Sequence, residues 1–138
     1  MRAIFLLTII LLSSCDNNEY KLLTLVNKSN DTIYYCFENK DVFTYNNPIV
    51  SRNKKIDFVN SSVIMPGDST VIDRRTNSES WPHYINGVSD KTLRIFFFSH
   101  KNIAYATWDS VLKSQYYEKL TKLSVDSLEK INWRVIYR

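Results

Sequence analysis

One stretch restricts the fold of this chain more than any other: residues 92–99, Thr-Leu-Arg-Ile-Phe-Phe-Phe-Ser. Side chains of a strand alternate between faces, so Leu93, Ile95 and Phe97 share one side and Arg94, Phe96 and Phe98 the other. Large apolar groups on both faces require cover on both, which makes this segment a central strand between a core and a further layer. Composition points the same way. The chain has two glycines and three alanines but nine tyrosines, seven phenylalanines and three tryptophans. Aromatic and β-branched residues fit the pleated, half-buried surface of a sheet better than a helix.

The remaining runs can be placed around that strand. Lys21–Asn27 alternates, with Leu23 and Leu25 on one face, and the turn formers Asn27 to Asp31 follow it. Thr32–Phe37 comes next, with Ile33, Tyr35 and Phe37 on one face, so the pair predicts a hairpin. Asp41–Tyr45 predicts a short third strand, and residues 49–55 an exposed loop. Lys55–Val59 and Ser61–Met65 predict short strands or one bulged strand. In Met65-Pro66-Gly67-Asp68, proline presets φ at the second position and glycine takes positive φ at the third, as a type II turn requires. Ser69–Asp73 is expected to leave that turn as the partner strand, with Val71 inward.

Trp81 to Ile85 is a compact aromatic segment between loops, and Asn86-Gly87 is a turn signal. Asn102–Thr107 predicts a strand that forms a second hairpin with residues 92–99. At Asp109 the period changes: Trp108, Val111, Leu112, Gln115 and Tyr116 fall near one helical stripe, and Asp109 suits an N-cap. A strand over Glu118–Leu123, a turn-length helix capped by Ser124 and a closing strand over Asn132–Tyr137 complete the chain. In the last of these, Trp133, Val135 and Tyr137 face inward. Eight or nine short strands with no alternating βα pattern predict an antiparallel β-sandwich or open barrel, mainly β, with one or two short helices near the C-terminus.

The N-terminus has a different character. Arg2 precedes an uncharged apolar run from Ala3 to Leu12, followed by Ser13, Ser14 and Cys15. The run is shorter than the roughly 20 apolar residues of a membrane span and has the layout of a signal peptide. Leu12-Ser13-Ser14-Cys15 resembles the lipobox of bacterial lipoproteins. That resemblance implies that Cys15 carries the lipid anchor (thioether-linked diacylglycerol and an amide-linked fatty acid such as palmitate) and becomes the mature N-terminus. It predicts a signal peptide over residues 1–14, the lipidated cysteine and tether over 15–20, and a single β-rich domain over 21–138. Acids after the cysteine, Asp16 and Glu19, resemble surface-export signals of Bacteroidetes lipoproteins.

Further pieces carry the same likeness: Asn27-x-Ser29-x-x-x-Ile33, Met65-Pro66-Gly67-Asp68-Ser69, and Asp126-x-Leu128 running into Asn132-Trp133. Together they resemble small uncharacterised lipoproteins of Bacteroidetes, which implies a place in the cell envelope, on the outer membrane, and no particular chemistry. Asp31-Thr32-Ile33, Asp68-Ser69-Thr70, Asp109-Ser110-Val111 and Asp126-Ser127-Leu128 resemble the O-glycosylation sequon of exported Bacteroidetes proteins. The resemblance implies Thr32, Ser69, Ser110 and Ser127 as candidate glycosylation sites.

Charge argues against a nucleic-acid partner. Removing residues 1–14 takes one of 18 basic residues, so the formal balance falls from +4 to +3, with the cations scattered. With Cys15 acylated, Cys36 has no disulfide partner, and its apolar strand predicts a buried, inert thiol. His83 and His100 are the only imidazoles. Ser99 and His100 are neighbours at a strand end and point to opposite faces, which is no nucleophile–base pair. The spacing of Cys, His and acids matches no metal motif, and no cofactor is expected. Aromatics are the surplus: Trp81, Tyr84, Phe96, Phe98, Tyr105 and Trp108 compete between the core and a flat ligand platform. Trp81 and Tyr84, in a loop-flanked segment, are the candidate platform. The expectation is therefore a lipid-anchored, non-catalytic binding or accessory module for an envelope protein or glycan. The alternative is an envelope glycan hydrolase with paired carboxylates.

Overall fold

The computed structural model describes residues 20–44, 62–74 and 79–138. Among these, seven strands and four short helices follow one another: β1 (Leu23–Asn27), β2 (Ile33–Glu38), β3 (Val63–Ile64), β4 (Ser69–Ile72), α1 (Trp81–Gly87), β5 (Leu93–Ser99), α2 (His100–Ile103), α3 (Trp108–Ser114), β6 (Lys119–Leu123), α4 (Val125–Lys130) and β7 (Arg134–Tyr137). The expected loop over 49–55, the strand at Lys55–Val59 and the whole N-terminal signal with Cys15 lie outside the described residues.

The strands form a three-stranded sheet in the order β4-β1-β7 and a four-stranded sheet in the order β3-β2-β5-β6. The fold is therefore mainly β, a sandwich carrying a few short helices. Strand β5 is buried along its whole length between β2 and β6, as its two apolar faces require. Leu93, Ile95 and Phe97 join Leu23, Leu25, Ile33, Tyr35, Val135 and Tyr137 in the core between the sheets. Its other face, through Phe96 and Phe98, builds a second core with Tyr34, Cys36, Phe43, Ile103 and Val111. The helices α2 and α3 provide the covering layer on that side through Ile103 and Val111.

Several pairings differ from the expected ones. Strands β1 and β2 belong to different sheets, so residues 21–37 are no hairpin. The polar turn between them is a corner built on Asn27, which is fully buried. Its amide donates to the carbonyls of Asp31 (2.6 Å) and Ile64 (3.0 Å), and its Oδ1 accepts from the N–H (2.9 Å) and hydroxyl (2.7 Å) of Ser29. The Met65–Asp68 turn is also a crossing between sheets, from β3 to β4. Its local chemistry is as expected, with Gly67 at φ +81° and the Asp68 N–H donating to the Met65 carbonyl at 3.1 Å. The strand leaving it has the opposite phase: Val71 is 58% exposed while Ile72 packs on the core.

Strand β7 runs parallel to β1, so the smaller sheet is mixed rather than purely antiparallel. Helix α4 separates β6 in one sheet from β7 in the other and delivers β7 alongside β1 in that direction. Trp133, Val135 and Tyr137 face inward as expected, and among the described residues β7 pairs on one side only, at the sheet edge. Asp41–Thr44 forms no strand; Phe43 is clamped instead by Gln115, whose amide bonds both its N–H and its carbonyl at 3.0 Å.

Asn102–Thr107 is not a strand either, but part of α2 and the turn after it. The cause is non-local: the Asp31 carboxylate accepts from the Lys101 N–H at 2.9 Å and from the Ser99 hydroxyl, holding the helix start. The antiparallel partner of β5 on that side is β6. Helix α3 is capped by Thr107 rather than Asp109, which sits in its first turn. Ser124 caps α4 as expected.

Candidate functional site

The aromatic segment at 81–85 is helix α1. Ser80 caps it by accepting from the His83 N–H at 3.3 Å, and Pro82 sits in the first turn, where its missing N–H costs nothing. Helical spacing then sends Trp81 and Ile85 into the main core and leaves Tyr84 half-buried beside them. Trp81 is 1% exposed, donates its indole N–H to the Ile72 carbonyl at 3.0 Å and packs against Phe37 at 5.1 Å between centroids. It is a core anchor, which corrects its assignment to an exposed platform.

Tyr84 does stand at the surface, in an ordered polar surround. The Arg74 guanidinium lies 3.8 Å from its ring centroid and 5.1 Å from that of Trp81, while the two rings meet edge-to-face at 5.9 Å. Arg74 also faces Glu79 at 3.7 Å, and the Tyr84 hydroxyl donates to Asn39 Oδ1 at 2.7 Å. Burial pushes the Tyr84 phenol up; Arg74 opposes this, and Glu38 and Glu79 add to it. The hydroxyl is therefore a neutral donor at physiological pH. Beside it opens a groove of about 300 Å³ lined by Asn39, Glu79, His83, Tyr84, Gly87 and Val88. A side chain added at Gly87 would project into open space. The groove can offer amide, carboxylate, imidazole and phenol groups to a polar ligand, next to one aromatic ring.

The other aromatics divide between core and surface. Phe96 and Phe98 are buried, Trp108 is half-buried against the second core, and Tyr105 is 95% exposed. His83 stands exposed on the groove. His100 Nδ1 meets the Tyr34 hydroxyl at 2.6 Å, whereas Ser99 bonds Asp31, so these neighbours serve different partners. Of the candidate glycosylation sites, Ser69 is exposed at the start of β4. Ser110 is exposed with its hydroxyl donating to the Thr107 carbonyl at 2.8 Å. Ser127 lies against the Ser124 hydroxyl at 3.0 Å, and Thr32 points its hydroxyl at the Met65 sulfur at 3.7 Å. Among the described residues no cluster of His, Cys, Asp and Glu could hold a metal ion.

Arg94 holds two carboxylates, Asp41 and Asp90, together. Arg94 is the charged member of the otherwise apolar β5 and is 7% exposed. Its Nε donates to Asp41 at 2.6 Å, its Nη1 to Asp90 at 3.1 Å, and its Nη2 makes a further bond to Asp90. Asp41 also accepts from Lys122 at 2.6 Å. Hydrogen bonds from Lys122 and Arg94 hold the Asp41 carboxyl below the usual range, and the bond from Arg94 does so for Asp90. A glycosidase acid needs the reverse, a carboxyl raised toward neutrality.

Sequence reasoning named Tyr84 but none of its groove partners, and it missed the Arg94 cluster. Asn39 and Tyr84 lie 45 residues apart, and no local pattern joins them. The Arg94 cluster had one available signal, a lone charge inside an apolar strand. No protein-family profile, curated protein or solved structure matches the chain.

Proposed function

We propose that this chain is a lipid-anchored cell-envelope protein, held on the outer membrane through Cys15, and that its domain is a non-catalytic binding module for a polar envelope ligand, a glycan. The observation that carries the binding role is the groove beside Tyr84, where Asn39, Glu79 and His83 present hydrogen-bonding groups around an aromatic ring stiffened by Arg74. Carbohydrates are bound by this mixture of planar hydrogen-bonding side chains and ring surface. The resemblance of Leu12-Ser13-Ser14-Cys15 to a lipobox supports the anchor. Two or three acyl chains hold a protein on a bilayer far more firmly than one. Against the alternative of a glycan hydrolase stands the chemistry of Asp41 and Asp90, which share a guanidinium and favour the ionised state.

Metabolic labelling with an alkyne fatty acid tests the anchor: label is expected in the parent and none in Cys15→Ala, and label persisting in that variant would refute it. For the groove, acylated protein and a Gly87→Trp variant serve as baits for glycans solubilised from envelopes. Glycan retained by the parent and lost from Gly87→Trp is the expected result. Equal retention by both would place binding elsewhere.

A further inference from the structure

We propose that the end of the domain bearing Tyr20, Leu22 and Ile131 docks on the surface of the lipid bilayer. The inference rests on the reading of Cys15 as the anchor and adds an orientation to it. From Cys15 to Tyr20 is five residue steps, which span at most about 18 Å fully extended. A domain of this length has a radius of gyration of about 13–14 Å and is therefore wider than that leash. Tyr20 can never leave the neighbourhood of the headgroups.

The surface found there suits that place. Tyr20 is 64% exposed, Leu22 43% and Ile131 40%. Tyr20 and Leu22 border a groove of about 320 Å³ with Lys21, Glu129, Asn132 and Trp133, and Ile131 adjoins it in sequence. The Thr24 N–H donates to the Trp133 carbonyl at 2.8 Å, which fixes the chain leaving the tether against the turn between α4 and β7. In that turn Asn132 and Trp133 have φ of 50° and 57°, and the left-handed pair leaves Ile131 at the surface. Tyrosine is enriched where apolar and wet phases meet, and lysine can lay its stem along acyl chains while its head stays in water. Lys130 and Arg134, both exposed, flank Ile131–Trp133 in sequence, and Lys21 pairs with Glu129 at 3.9 Å. The tether adds the acids Asp16 and Glu19, so charge is close to balanced and the three apolar side chains carry the contact.

The test uses acylated protein in vesicles of phosphatidylethanolamine and phosphatidylglycerol containing a headgroup-level spin-labelled lipid. Cys36 is buried and the acyl chain occupies Cys15, so a cysteine introduced at Ile131 or at Tyr105 takes a fluorophore selectively. Tyr105 sits in the layer beyond the larger sheet, between α2 and α3, and serves as the distant position. Strong quenching at position 131 with little at 105 is the expected result. Leu22→Asp should then lower the ratio of docked to undocked molecules by about fivefold, because somewhat under half of the leucine remains to be buried. Equal quenching at both positions in protein shown to be acylated would overturn the docking and leave the anchor standing. Absence of fatty-acid label from the parent would overturn both, since nothing would then hold this end at the bilayer.

Discussion

Replacing Trp133 by alanine should destabilise the domain by about 2–4 kcal/mol, a large share of what a domain this size has. The indole is 4% exposed and belongs to the core between the sheets. Truncating a buried aromatic to alanine costs about 3–5 kcal/mol. Trp133 also carries a liability: among the described residues its buried indole N–H has no hydrogen-bond partner. An unmade buried donor costs about 1–3 kcal/mol, and truncation removes that penalty together with the packing. The backbone bonds of Trp133, N–H to the Leu128 carbonyl and carbonyl from the Thr24 N–H, both at 2.8 Å, survive the change. Phenylalanine keeps a ring and discards the unpaired donor, so Trp133→Phe should stay within about 1 kcal/mol of the parent. Urea denaturation followed by far-ultraviolet circular dichroism measures both. With slopes of about 1–3 kcal/mol per molar, Trp133→Ala should lower the midpoint by about 1–3 M. An unchanged midpoint for Trp133→Ala would refute its role as an anchor. A phenylalanine variant as weak as the alanine one would show that the N–H is bonded after all.

Asn27→Ala should cost about 2–4 kcal/mol in the same assay, because it takes the amide donor from the Ile64 carbonyl, leaves the Asp31 carbonyl only the Ser29 hydroxyl and strips the Ser29 N–H of its acceptor at a buried corner; a loss below about 0.5 kcal/mol would show that the corner is held by other bonds. Stability should fall in acid. The carboxyls of Asp41 and Asp90 lie below the usual range through their bonds to Lys122 and Arg94; for Asp31 burial pushes the carboxyl up, but the bonds from Ser99 and the backbone N–H groups of Lys101 and Thr32, together with His100, outweigh it. Carboxyls lowered in the folded state contribute stability above the ordinary aspartate value near about 3.9 and lose it as pH drops through their own lower values. The urea midpoint should thus be flat from about pH 7 to 5 and fall below about pH 4, less steeply in Arg94→Met; a fall centred above pH 5 would implicate other groups. Burial pushes the Cys36 thiol up to about 12, so iodoacetamide at pH 8 should leave the native protein unmodified and alkylate it in urea. Rapid native alkylation would contradict that burial.

Much of the fold could be read from side-chain alternation, and most of the failures share one cause. Strand β5, the inward faces of β2 and β7, the Ser124 cap and the Gly67 turn all follow from local pattern or local backbone chemistry. Most of what was misread depends on partners distant in sequence. The turn at 27–31 has hairpin composition, yet Asn27 reaches forward to Ile64 and makes it a corner between sheets. Residues 100–103 coil because Asp31 caps them from 70 positions away. At the groove, the segment from Trp81 to Tyr84 stood out by composition, but its loop-like flanks hid the helix that Ser80 and Pro82 start. Helical spacing puts Trp81 in the core and leaves Tyr84 half-buried at the surface. Arg74, in sequence only one of the scattered cations, lies over that ring.

The binding role can be tested at the residues themselves by titrating isotope-labelled mature protein with soluble peptidoglycan oligosaccharides while following backbone amide resonances. Shifts should concentrate at Asn39, Glu79 and the residues of α1 from His83 to Gly87, saturate with the sugar, and vanish in Gly87→Trp while the rest of the spectrum stays in place. A spectrum unmoved by these fragments, or one that moves instead around Tyr105 and Trp108 on the opposite layer, would contradict the assignment of this groove.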